Sequence, residues 1–134
     1  MQYKKSRTST SPALPDLKSN RRKQMHIIVK GRKIKIDPDT GYLKNLGDWN
    51  EHVANALARK DGLDQLTPAH WEIITFLRSY YEKYGLSPLV KILTLEVRKT
   101  FGPEKGNTKY LYDLFPQGPS ASGCRIAGIP KAVG

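Results

Sequence analysis

The sequence predicts a mainly α fold: a small helical domain of about four to five helices, including a helix-turn-helix-like pair, with an N-terminal β-hairpin and a flexible C-terminal arm. Three features point that way. Thr67-Pro68 and Ser87-Pro88 each head an apolar-periodic segment, offering a capping hydroxyl followed by a proline at the first helical position. Lys33-Ile34-Lys35-Ile36 alternates with period two, which sets Ile34 and Ile36 on one face of a strand. Past Phe115-Pro116 the periodicity gives way to a run dense in Gly, Pro and Ser.

A chain of 134 residues, 38% apolar and 26% charged, is long enough for one core and hardly for two. Residues 25–116 are expected to hold that core, between a basic tail over 1–24 and a mobile arm over 117–134. His26-Ile27-Ile28-Val29, a turn at Lys30-Gly31-Arg32, and Lys33 to Ile36 make the hairpin. Asp37-Pro38-Asp39-Thr40-Gly41 is turn chemistry, followed by Tyr42 and Leu43 as a short third extended piece. Asp48 is a cap for a first helix running to about Lys60, with Trp49, Val53 and Leu57 inward.

The second helix runs from Thr67-Pro68 to Gly85. Trp71, Ile74, Leu77 and Tyr81 form one stripe along it, and Ile73, Phe76 and Tyr80 an adjoining one. A stripe that broad marks the central, most buried helix. The third helix starts at Ser87-Pro88, turns Leu89, Ile92, Leu93 and Val97 inward, and stops at Gly102-Pro103. Asn107 or Thr108 caps a fourth that ends at Phe115-Pro116.

Charge and composition remove several classes of function. No stretch approaches the roughly 18 consecutive apolar residues of a membrane span, so no membrane partner is expected. The basic N-terminus lacks the apolar segment of a secretory signal. A lone cysteine cannot close an internal disulfide, which suits a reducing compartment, the cytoplasm. Residues 1–24 hold seven basic side chains, with Arg21, Arg22 and Lys23 at their end, against Asp16 alone: a net +6 of the chain's +11. Such a tail is a solvated extension or a contact for a polyanion such as nucleic acid.

His26, His52 and His70 fall in no metal or nucleophile motif, and one cysteine with scattered histidines does not make a zinc site. The glycines at 118, 123 and 128 follow no strand and are not a dinucleotide fingerprint. No cofactor or metal is expected. Cys124 stands apart, within the Gly/Pro-rich arm, beside Arg125 and near Lys131, with no acidic residue after Asp113. Positive surroundings favour the reactive thiolate and the docking of partners. The competing reading is an inert small residue. On the third helix Lys91, Arg98 and Lys99 offer a contact for phosphates or bases, against the plainer reading of two helices packed across a tight turn.

The run LTPAHWEIITFLRSYYEKYGLSPLVKIL, then EKGNTKYLYDLFPQGP, then GCRIAGIPK, with GYLKNLGDW earlier, resembles the DsrC/TusE sulfur-relay family from about Ile27 to Lys131. That family includes the gamma subunit of dissimilatory sulfite reductase and the tRNA 2-thiouridine sulfur-relay protein. The resemblance implies a helical fold with a small hairpin and a flexible arm. It implies a sulfurtransferase or sulfur carrier acting through a cysteine persulfide, or through a trisulfide between two arm cysteines. Its partners would be sulfur-donor and sulfur-acceptor proteins, either a sulfite-reductase-like complex or tRNA-thiolation proteins, which hold any redox cofactor.

Cys124 matches the upstream arm cysteine of the sulfite-reductase branch. The loop at Glu104-Lys105-Gly106-Asn107 is similar to members from sulfur oxidisers and from the tRNA branch. The family's principal sulfur-carrying cysteine follows the upstream one after ten residues; from Cys124 those are Arg125 to Gly134, where this sequence stops. PKAVG also stands where the family has PKPTG. Two alternatives follow: a sequence two residues short, or a variant without the carrier thiol. In the second case the two-cysteine mechanism is closed within the chain. A single-thiol carrier, an intermolecular pair, or a regulatory or nucleic-acid-binding member that has lost the relay thiol would remain.

Overall fold

The computed structural model describes residues 25–132; the expected basic tail, with Arg21, Arg22 and Lys23, and residues 133–134 lie outside the described residues. The fold class is the one the sequence predicts, an N-terminal antiparallel hairpin followed by five helices. Strands β1 (His26–Val29) and β2 (Arg32–Lys35) pair with Ile27 opposite Ile34 and Val29 opposite Arg32. The turn is the two residues Lys30-Gly31, at φ 53° and 79°, the left-handed pair that matches the twist of a tight hairpin. Ile34 and Ile36 are fully buried. Ile36 bridges to Leu43, so the third extended piece is a single bridge rather than a strand.

Helix α1 (Glu51–Lys60) is capped by Asn50, whose side chain accepts from the Val53 amide. Asp48 is not the cap, because it closes a short 3-10 turn over Leu46–Asp48 instead. Helix α2 (Pro68–Tyr84) starts and stops as its sequence signals: Thr67 caps it, Pro68 opens it and Gly85 leaves it at φ 72°. Its buried apolar side chains are Ile73, Ile74 and Leu77, with Trp71, Phe76 and Tyr81 packed half-buried at the margin.

Helix α3 (Val90–Phe101) has no side-chain cap. The Ser87-Pro88 signal falls short of it because the Ser87 hydroxyl is engaged 43 residues away, on the Pro130 carbonyl at 2.6 Å. The buried face of α3 is Leu93, Thr94 and Val97. Leu89 and Ile92, expected inward, are 43% and 42% exposed, because the helix begins two residues later than the signal and is phased by Leu93 and Val97. Helix α4 (Thr108–Leu114) is capped by Asn107 and delivers Phe115 to the core. Gly106, just ahead of it, is packed so closely that a β-carbon would overlap the Arg98 backbone.

The largest departure from expectation comes last. Residues expected to form a mobile arm build helix α5 (Pro119–Ala127), opened by a proline and left through Gly128 at φ 71°. Ser120, Ser122, Gly123, Cys124, Ile126 and Ala127 are all buried on it. It packs against α1, α2, α3 and α4, so α5, as much as α2, occupies the centre. Small side chains make that possible. A β-carbon on Gly123 would lie 2.9 Å from Leu77 Cδ1, a distance that packed carbons do not tolerate. No helix among the described residues is long and apolar enough to cross a membrane.

Candidate functional site

Cys124 is fully buried. Burial pushes its thiol up to about 11, against the weaker opposing effect of the neighbouring Ser87 and Ser120 hydroxyls. A thiolate in low dielectric loses hydration that two hydroxyls only partly replace. Ser120 stands one turn before Cys124, on the same face of α5. Its hydroxyl donates to the Pro88 carbonyl at 2.7 Å, while Ser87 donates to Pro130. The dipeptide Ser87-Pro88 thus accepts from the start of α5 and donates to the segment beyond its end. The Ile129 amide completes the clasp by donating to the carbonyl of Cys124 itself at 3.1 Å.

Polar anchors hold the rest of α5. The Asp61 carboxylate, at the end of α1, accepts from Arg125 Nη2 at 2.9 Å and from the Ser122 hydroxyl at 2.6 Å. Arg125 also donates to the Thr40 carbonyl at 3.3 Å and lies over the Tyr42 ring. Tyr42 in turn donates its hydroxyl to the Ala121 carbonyl at 2.9 Å. The C-terminal carbonyls of a helix have no partners within it. Here Trp49 Nε1 donates to Ile126 at 2.8 Å and Arg78 to Ala127 at 2.6 Å, with the Arg78 guanidinium stacked on Trp49 at 3.9 Å.

This geometry revises the sequence-based site. Arg125 was expected to favour the thiolate, but its guanidinium is committed to Asp61. Lys131 is exposed on the segment after α5. Asp61, Ser87, Ser120, Trp49 and Arg78 were not singled out as site residues, because each acts through a partner dozens of positions away. The one local hint was the small-residue face Ser120, Gly123, Cys124 and Ala127, spaced for a helix that fits close to its neighbours.

The other sequence-flagged groups lie apart. Lys91 and Arg98 line an open groove of about 460 Å³ with Val90, Thr94, Leu95 and Thr108. Arg98 donates Nε to the Gly106 carbonyl at 2.9 Å, and Lys99 pairs with Glu96 at 3.4 Å. His70 clamps two elements together. Its Nδ1 accepts from the Thr67 amide at 3.1 Å, and its Nε2 contacts the Leu114 carbonyl at 2.7 Å, so the hydrogen sits on Nε2 and the ring bridges α2 to α4.

Residues 28–134 match the family model described as DsrC-like protein. The sulfurtransferase TusE of Photorhabdus laumondii is 42% identical over 107 residues, covering 80% of this chain and 95% of that one. The TusE of Escherichia coli K12 is 41% identical over 107 residues, covering 80% and 96%. Among solved structures, DsrC from Allochromatium vinosum superposes with a TM-score of 0.74 at 51% identity, covering 81% of this chain and 96% of that one. The oxidised gamma subunit of dissimilatory sulfite reductase from Archaeoglobus fulgidus gives 0.70 at 42% identity, covering 82% and 98%.

Proposed function

We propose, from the premise that this chain belongs to the DsrC-like protein family, that it is a sulfur carrier whose acceptor is Cys124. The observation that supports this most directly is the clasped thiol of α5 in a chain whose relatives include named sulfurtransferases. In the proposed step a Cys124 thiolate attacks the outer sulfur of a donor persulfide. The new sulfur–sulfur bond forms on Cys124, the donor's bond breaks, and the donor leaves as a thiolate with no net oxidation. Transfer onward repeats the displacement with an acceptor thiolate. The donor and acceptor are proteins of a sulfite-reductase-like complex or of a tRNA-thiolation system, and exposed Lys131 offers them a charge beside the segment they must engage. The same reading has the protein working in the cytoplasm, whose reducing conditions keep a free thiol available.

A buried thiol with a raised pKa is a poor nucleophile as it stands. At pH 7 only about one in ten thousand such groups is ionised. Donor contact must therefore open the clasp before sulfur moves. Intact-mass spectrometry of the protein expressed from its native reading frame, before and after exposure to a persulfide donor, tests the reading. A gain in mass of one or more sulfur atoms, lost in Cys124→Ser, is the expected result. Uptake unchanged by Cys124→Ser removes the acceptor role from this residue.

A further inference from the structure

Among the described residues, Ser87 is the side chain that ties the neighbourhood of the thiol to the segment beyond α5. Its hydroxyl lies beside Cys124, where it eases ionisation of the thiol, and donates its only hydrogen to the Pro130 carbonyl, 2.6 Å away. Ser120 is arranged in the same way, between Cys124 and the Pro88 carbonyl. While the thiol is neutral it carries its own hydrogen and both carbonyls stay satisfied. A sulfur anion is different, because it can only accept. The hydroxyls that reach the sulfur already spend their hydrogens on carbonyls, so solvating the anion means taking one of them away.

The two carbonyls are not equivalent. Pro88 is fully buried and has no access to water, so stripping it leaves an unsatisfied acceptor inside the core. Pro130 is half-buried and can turn to solvent. The cheaper hydrogen to redirect is that of Ser87. We propose that Ser87 is a positioning residue that changes partner, turning from the Pro130 carbonyl to the sulfur of Cys124 when that sulfur becomes anionic, and so unfastening residues 129–132. Charge on the sulfur, as thiolate or as persulfide anion, would then open the clasp that covers it. The titratable groups that anchor α5 are Tyr42 on the loop, Asp61 at the end of α1, Arg125 on α5 itself and Arg78 on α2. Asp61 and Arg125 neutralise each other, Arg78 is committed to the Ala127 carbonyl, and Tyr42 donates to Ala121; none of them holds the 129–132 segment.

The proposal deepens the sulfur-carrier reading and rests on it for its biological role, but one arm of its test does not. In that arm, iodoacetamide alkylation of Cys124 is followed against pH in the full chain, in Ser87→Ala and in Ser87→Thr. Loss of the donor should move the midpoint of the profile about 0.7 pH unit higher, the fivefold worth of one hydrogen bond, with Ser87→Thr restoring it, while the loosened segment raises the plateau rate. A role in packing alone raises the plateau rate without moving the midpoint up, since loosening the segment only exposes the thiol. A midpoint unchanged or lower in Ser87→Ala overturns the switch.

In the second arm, hydrogen exchange of the 129–132 segment is measured before and after loading with inorganic polysulfide. Exchange should rise about fivefold on loading in the wild type, while in Ser87→Ala it starts fast and does not change. An identical response in both proteins also overturns the switch. If the wild type takes up no sulfur, the carrier reading falls and alkylation alone decides the switch.

Discussion

Gly128 lies against the indole of Trp49 so closely that a β-carbon on it would overlap the ring. The same residue turns the chain out of α5 at φ 71°, while the Trp49 indole N–H satisfies the Ile126 carbonyl two residues earlier. Conformation and contact demand glycine together. Gly128→Ala should therefore cost about 3–5 kcal/mol in urea unfolding, combining left-handed strain with overpacking. Gly85→Ala has nearly the same φ but open space around it, and should cost about 1 kcal/mol. Similar losses for the two would show that the Trp49 contact carries no energy.

Asp61 is the hub of the anchor on the other side of α5. Asp61→Ala strands a largely buried Arg125 and should destabilise by about 3 kcal/mol, discounted from a fully buried pair. Alkylation of Cys124 should accelerate in the same variant, because α5 loses a tether. Removing both partners, in Asp61→Ala with Arg125→Ala, should be less damaging than the sum of the single losses, and a double-mutant cycle of unfolding free energies measures the difference.

Stability should fall in alkali with a sign set by two raised groups. Cys124 is held at about 11 and Tyr42 at about 12, the latter chiefly by burial and next by the neighbouring thiol. In the unfolded chain each ionises roughly two units earlier, so over that window the native state holds more protons and stability declines as pH rises. The Cys124 share, about 2–3 kcal/mol, is intact below about pH 9 and lost by about pH 11. Equilibrium unfolding across that range should show a shallower slope in Cys124→Ser. Tyr42→Phe should remove a further portion between about pH 10 and 12.

The His70 bridge separates a cap from a clamp. Thr67→Ala should cost about 1 kcal/mol, the usual worth of a helix cap. His70→Ala also deletes the contact with the Leu114 carbonyl and the edge-on packing against Phe115, and should cost about 2–3 kcal/mol. Thermal unfolding distinguishes the two. Equal losses would mean that the bridge to α4 contributes nothing.

What could be read from the sequence was local. Thr67-Pro68-Ala69-His70 announces α2 because its cap, its proline and its returning side chain all fall within one turn. Ser87-Pro88 is the same kind of signal with a different use, and nothing nearby reveals that the hydroxyl looks to Pro130. Helix α5 was misread for a related reason. Pro119-Ser120-Ala121-Ser122-Gly123 has weak helical propensity, so the segment is helical through its contacts: Asp61, Trp49, Arg78 and Tyr42 hold it from four other places in the chain. The thiol itself stood out as the only cysteine, set in a Gly/Pro-rich segment beside Arg125 and matching the family's upstream arm cysteine. Its burial, its two hydroxyl neighbours and the capture of Arg125 by Asp61 all depend on tertiary contacts that residue spacing does not record.

A chain with one cysteine invites a fluorophore at that cysteine, and the position of Cys124 changes what such a label reports. A dye-sized group has no room between α5 and the four helices around it. Molecules that become tagged are those caught with the helix displaced, and the tag then keeps them from returning. Labelling therefore works as a tally of rare excursions, and its time course is a clock for the centre of the molecule rather than a map of its surface.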